Sequence, residues 1–213
     1  MNKLLSVMTA LAFSLGCMAS AEAQDAKKGE AKVAMCIGCH GIQGYQASFP
    51  EIHKVPMISG QSAKYIVSAL TAYKKGERKH GSMRSVAVSL SDADMADVAA
   101  FYEQQGKPAD AGAPTPSPAV AELLKKGNCA SCHGDNLSKP IDPSYPKLAG
   151  QHADYLYVAL KAYQTDNNPL VGRNNAIMMG MARPFTPTEL KQLSAYIASM
   201  PGELRTVPQN SFR

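Results

Sequence analysis

Apolar residues recur along this chain at helical rather than strand spacing. Within residues 62–75, Ile66, Ala69, Leu70 and Tyr73 fall on one helix face, and Leu156, Ala159, Leu160 and Tyr163 repeat that face further on. Two more stripes, Met95-Val98-Ala99-Tyr102 and Leu190-Leu193-Ile197-Met200, predict a closing helix for each half of the chain. Both closing helices carry a start signal. Ser91 with Asp94 and Thr186 with Glu189 read as capping boxes, and Pro187 suits a first helical position. Pro201-Gly202 predicts the end of the last helix. Residues 26–36 and 118–130, alanine-rich and lysine-bearing, predict further helices, and no segment is convincingly strand-rich. Glycine and proline gather in the loops 41–60 and 134–150. The pattern predicts an all-α chain.

The pattern occurs twice. Gly60-Gln61 matches Gly150-Gln151 at an offset of 90, which also carries Tyr65, Leu70 and Tyr73 onto Tyr155, Leu160 and Tyr163. Pro56-Met57-Ile58 lies over Pro146-Lys147-Leu148. Leu90 to Asp94 lies over Phe185 to Glu189 at an offset of 95, so the second copy holds a five-residue insertion. Between the copies, 106–118 carries prolines at 108, 114, 116 and 118, the composition of a semi-rigid, extended linker. The predicted organisation is a first domain at 24–105, the linker at 106–118 and a second domain at 119–213. Residues 1–23 read as an export signal: Lys3, an apolar run from Leu4 to Met18, then Ala21-Glu22-Ala23 as a cleavage site before Gln24. The run is short for a membrane span, and an uncleaved anchor is the lesser alternative. Cys17 has the outline of a lipidation site, but Ser14 stands where an apolar residue is usual, so Cys17 is expected to leave with the signal.

The remaining four cysteines change the picture. They fall as Cys36-Ile37-Gly38-Cys39-His40 and Cys129-Ala130-Ser131-Cys132-His133, and Cys-x-x-Cys-His is the attachment signature of a c-type haem. Cysteines three apart lie on one side of a helical turn and can each form a thioether to a haem vinyl group. The following histidine can then ligate the iron. Two other readings exist, a redox dithiol and a zinc site. The first calls for a βαβ pattern that is missing here. The second must join cysteine pairs 93 residues apart and leaves the repeated histidine without a role. Domains of about 85 residues have thin cores, and a covalent haem would fill each interior with an apolar body.

A sixth ligand separates an electron carrier from an enzyme, because an iron held by His and Met is coordinatively full. Met83 stands seven residues before Leu90, and Met178 stands seven before the matching Phe185. The repeat register therefore selects Met83 and Met178 over Met179 and Met181. His80 could compete with Met83, whereas His53 and His152 have no counterparts in the repeat. All three are expected to be surface or loop histidines.

These residues resemble the dihaem cytochrome c4 family over essentially the whole mature chain. The resemblance is carried by the two haem motifs, by Pro146 to Gln151 with its looser copy Pro56 to Gln61, and by the methionine loops leading into Leu90 to Asp94 and Phe185 to Glu189. It implies two tandem class I cytochrome c domains related by a pseudo-twofold axis and two covalently bound haem c groups. By the same resemblance Met83 and Met178 are axial ligands beside His40 and His133. The carbonyls of Pro56 and Pro146 would orient the two imidazoles. Departures are a longer first loop, with Gly41 to Tyr45 and His53, and a single methionine in the first ligand loop.

Charge narrows the partners. The net charge is +5, unchanged when residues 1–23 are removed, since they carry one Lys and one Glu. The densest basic run, Lys74 to Lys79, reads first as a solvated helix end and second as a steering patch for an acidic partner. An exported haem protein of this modest charge is not expected to bind nucleic acid. The expectation is a periplasmic electron carrier, not an enzyme, docking transiently with redox proteins. Resemblance suggests a membrane quinol-oxidising complex as donor and a terminal oxidase as acceptor, which leaves room for peripheral membrane association. The alternatives are a cytochrome subunit of a dehydrogenase, such as a flavin-dependent sulfide dehydrogenase, and a dihaem peroxidase, which the short length and the two methionine loops disfavour.

Overall fold

The structure, a computed structural model, describes residues 24–109 and 112–208, so the predicted export signal and Cys17 lie outside the described residues. The first half folds as α1 (Ala26–Glu30), α2 (Ala34–His40), α3 (Ala63–Lys75), α4 (Gly81–Val88) and α5 (Asp92–Glu103). The second repeats it as α6 (Pro118–Lys126), α7 (Ala130–His133), α8 (Ala153–Gln164), α9 (Ala176–Ala182) and α10 (Pro187–Ser199). The helix predicted over 26–36 is broken, because the chain turns between Glu30 and Ala34 and drives Val33 into the core, where it is 1% exposed. The helix predicted over 118–130 breaks where Asn128 adopts a left-handed φ of 44°, which asparagine tolerates better than most residues. The described residues of 106–117 form neither helix nor strand.

Each half closes its core between the first and last helices. In the first, α1 crosses α5 so closely that a Cβ on Gly29 would collide with the Asp97 carbonyl oxygen. Ile37, Ile66, Leu70, Met95, Val98 and Tyr102 fill the space behind that crossing. In the second, Leu156, Ile197 and Met200 form one patch and Leu123, Phe185, Leu190 and Leu193 another, with Leu124 touching both. The predicted apolar stripes are therefore the buried faces. Both capping boxes are present: Ser91 with Asp94, and Thr186 with Glu189.

Four two-residue strands were not predicted. β1 (Gln46–Ala47) pairs with β2 (His53–Lys54) as a hairpin in the long first loop. β3 (Arg78–Lys79) pairs antiparallel with β4 (Gly172–Arg173) and so joins one half to the other. A two-residue strand has no period to read. The hairpin also corrects the expectation of a surface His53, which is 5% exposed, lies 6.2 Å from the Tyr155 ring and has its Nδ1 2.8 Å from the Glu51 carbonyl.

Replacing Ser91 or Thr186 by Ala is expected to lower stability by about 1 kcal/mol each, read as an earlier midpoint in denaturant. The same caps set an acid limit. Backbone and side-chain bonds from Thr186, with Lys126, bring Glu189 down from 4.5 to about 2, and Lys32 and Ser91 depress Asp94 similarly. A depressed carboxyl stabilises the fold fully above its unfolded pKa, so stability is expected to fall as pH drops from about 4.5 towards 2.

Candidate functional site

Both haem motifs sit on short helical turns. Cys36, Cys39 and His40 all belong to α2, while Cys129 caps α7, which carries Cys132 and His133. All four cysteines are half-buried and outside any disulfide. Among the described residues, no three His, Cys, Asp or Glu side chains converge to hold a metal ion.

The two histidines are fixed in the same way. His40 Nδ1 lies 2.8 Å from the Pro56 carbonyl, and His133 Nδ1 lies 2.9 Å from the Pro146 carbonyl. A carbonyl can only accept, so each imidazole donates from Nδ1 and keeps its lone pair on Nε2, the tautomer a metal ligand needs. Burial pushes both imidazoles below the ordinary histidine range against the pull of the carbonyls, which keeps them neutral. Burial likewise raises the thiols of Cys36 and Cys129. The Tyr102 hydroxyl lies beside the Cys36 thiol, and burial together with that thiol pushes it well above the ordinary phenol range.

The repeat-selected methionines occupy equivalent places. Met83 is the third residue of α4 and Met178 the third of α9, and both are half-buried. Met83 packs against the first core. Of the competing residues, Met179 is half-buried and Met181 is 45% exposed.

The contacts between the halves are reciprocal. Gln151 accepts from Met57 N at 3.0 Å and donates to Met57 O at 2.9 Å. Gln61 accepts from Lys147 N at 2.9 Å and donates to Lys147 O at 3.1 Å. Gly60 and Gly150, with φ of 88° and 76°, make the turns that aim these glutamines across. The C-terminal segment returns to the first half, where Arg205 N donates to Ser59 O at 3.0 Å, while Glu203 pairs with Lys147 of the second half.

At the centre of the interface lie two arginines that the sequence reading passed over. Arg78 packs on Tyr65 and Tyr73, and Arg173 on Tyr155 and Tyr163. Arg78 donates to the hydroxyls of Tyr65 (3.2 Å) and Tyr155 (3.3 Å), and Arg173 donates to Tyr155 (3.0 Å). Burial would raise Tyr155, yet the two guanidiniums bring it down to about 8. Arg78 was read as part of a solvated basic run, but it is 9% exposed. Its neighbours are also engaged: Lys74 donates to Leu90 O and Lys79 to Asn168 O. The offset of 95, which carries Arg78 onto Arg173, was the signal that could have found the pair.

These residues fit a haem. The motifs supply thiols beside a neutral imidazole with a free Nε2, and the interface supplies buried cations for a macrocycle's carboxylates. Arg78 Nε and His80 Nδ1 are buried there without a hydrogen-bond partner among the described residues.

Comparison with known proteins agrees. The cytochrome c family model matches twice, over residues 26–105 and 118–201. Cytochrome c4 from Stutzerimonas stutzeri is 30% identical over 217 residues, covering 94% of this chain and all of that protein. The crystal structure of reduced recombinant cytochrome c4 from Pseudomonas stutzeri superposes with a TM-score of 0.63 at 30% identity, covering 84% of this chain and 100% of that one. A thiosulfate dehydrogenase electron acceptor from Stutzerimonas stutzeri is 30% identical and covers 78% of each chain.

Replacing Gln151 by Ala removes the partners of Met57 N and O. This is expected to cost roughly 2 kcal/mol and to split one unfolding transition into two in calorimetry. Gln61→Ala should behave alike, because the contact is reciprocal.

Proposed function

The chain belongs to the cytochrome c family, as a dihaem cytochrome c4 that carries electrons on two covalently bound haem c groups, and from that premise we propose a periplasmic role and a ligand set. Cys36 and Cys39 hold the first haem by thioethers, and Cys129 and Cys132 hold the second. His40 with Met83, and His133 with Met178, are the axial pairs, and the carbonyls of Pro56 and Pro146 keep each imidazole in its ligating tautomer. The haems supply a one-electron ferric/ferrous couple. The protein's part is to fix the ligands, exclude water and hold the two halves in one geometry.

The observation that carries this reading is the duplicated geometry. In both halves an imidazole is tied to a proline carbonyl at 2.8 to 2.9 Å, and a half-buried methionine is the third residue of the helix before the closing one. Two closed irons suit electron transfer and leave no position for substrate. The donor is proposed to be a quinol-oxidising complex and the acceptor a terminal oxidase, met by weak and transient docking. Among the described residues no helix is long and apolar enough to cross a membrane. A second reading, electron acceptor for a dehydrogenase, is favoured by the similarity to the thiosulfate dehydrogenase electron acceptor.

The test is haem content and the absorption spectrum of the reduced protein with and without carbon monoxide. Two haems per chain and no response to carbon monoxide are expected. Met83→Ala and Met178→Ala should each open one iron to the gas. Carbon monoxide binding by the unaltered protein would move the assignment to an enzyme or sensor.

A further inference from the structure

The two halves differ at a place where the repeat would make them alike. His80 and Asn175 are equivalent at the offset of 95, and each is the N-cap of the helix carrying a candidate methionine. Asn175 does the ordinary work of that position, with its Oδ1 accepting from Met178 N at 3.0 Å. His80 makes no side-chain cap bond. Its ring instead meets Phe49 of the first-loop hairpin edge-on at 6.1 Å, and its Nδ1 is buried with no hydrogen-bond partner among the described residues.

A second nitrogen close by is in the same condition. Arg78 Nε, two residues earlier, is buried and unpartnered, although the rest of the guanidinium is held by tyrosine hydroxyls. The groups that act electrostatically on His80 are His53 of β2, Arg78 of β3 and Arg173 of β4, with a bond to the Phe49 backbone of the hairpin and a weaker coupling to His40 of α2. No carboxylate is among them. A buried polar nitrogen left unpaired costs about 1–3 kcal/mol, and buried cations need a counter-charge. Arg78 Nε–H, together with His80 Nδ1–H once the ring is protonated, is complementary to a carboxylate, and His80 is coupled electrostatically to His40 on the helix that carries Cys36 and Cys39. A haem attached at that helix brings two propionates.

We propose that His80 Nδ1 and Arg78 Nε receive a propionate of the first haem, and that His80 makes that haem's potential depend on pH while the second haem, with Asn175 in its place, lacks this dependence. The inference rests on the haem assignment above. His80 acts here as a positioning residue, working through the propionate rather than on the iron. A propionate favours the imidazolium, whereas burial and the two arginines oppose it. Arrival of one electron removes one positive charge from the haem site, so His80 then takes one proton from water. Both leave together on oxidation. The potential therefore falls as pH rises through the range of His80.

The experiment is a spectroscopic redox titration of the full dihaem chain at several values between roughly pH 5 and 9, where histidine titrates. One of the two redox waves should fall with pH, approaching about a tenfold change in the ferrous-to-ferric ratio per pH unit at its steepest, as one proton per electron requires. The other should stay flat. His80→Asn installs the residue the second half already uses as a cap, so folding is preserved, and it should flatten the moving wave. It should also shift the propionate bending band of one haem in the resonance Raman spectrum. His80→Gln, which keeps a donor but cannot titrate, should keep the band and lose the slope. Two flat waves in the unaltered protein, a slope that survives His80→Asn, or a propionate band unmoved by it would each overturn the inference. A chain lacking two haems would instead overturn the assignment beneath it.

Discussion

An axial histidine must present one nitrogen and hold its ring still, and in the ligand set proposed above a single hydrogen bond to a proline carbonyl would do both for His40 and for His133. The segment that supplies the carbonyl has a second task. Pro56 accepts from His40, and the very next residue, Met57, has both backbone groups bonded to Gln151 of the other half. Pro146 accepts from His133, and Lys147 is held in the same way by Gln61. A shift of one half against the other would thus pull on the residue adjoining each ligand-orienting carbonyl. Ligand geometry and domain docking share a backbone, and each glutamine follows a glycine whose positive φ makes the turn possible. With His40 and His133 as the proposed ligands, this arrangement would tie both haem positions to one frame.

The interior of that interface is unusual in being cationic. Two arginines lie between four tyrosines, with β3 and β4 pairing their backbones. Tyrosine faces and hydroxyls soften the burial of a guanidinium but carry no charge to balance it. Lowering of Tyr155 to about 8 is the local sign of this imbalance, since the guanidiniums reach for any group able to become an anion. Haem carboxylates meet the need better than phenols do, because they are ionised at any pH the cell uses. A cofactor that fills two thin cores with its apolar body can thereby also balance the charge between them.

Much of this was legible in the chain. The apolar stripes, both capping boxes and the haem motifs each rest on side-chain spacing of three or four residues, and the repeat register on offsets of 90 and 95; the structure keeps all of them. The break at Glu30–Ala34 has no propensity signal and follows from the burial of Val33, whereas the break at Asn128 had one, Gly127-Asn128 after Lys125-Lys126, which reads as a helix stop. His53 looked like a loop histidine because a two-residue strand leaves no pattern, and its burial comes from Tyr155, over a hundred positions away. Arg78 was hidden by company: beside Lys74, Lys75 and Lys79 it resembles part of a solvated helix end. The prolines were placed by resemblance, and the hydrogen bonds supply the physical reason.

Departures from the repeat concentrate in one region. The first loop is longer than its counterpart and folds as a hairpin that leans on the second half, through Glu51 to Lys161 at 2.8 Å and Lys54 N to Asp154 at 3.0 Å. Phe49 of that hairpin touches His80, and His53 lies beside Tyr155. The extra loop and the uncapped histidine are therefore neighbours, both on the first-half side of a frame that is otherwise reciprocal. Two haems in identical surroundings would share one potential, and an electron would have no preferred resting place. A frame that is symmetric in its ligands and docking contacts, with its differences gathered around one haem's edge, can hold the distance between the haems fixed while setting their potentials apart.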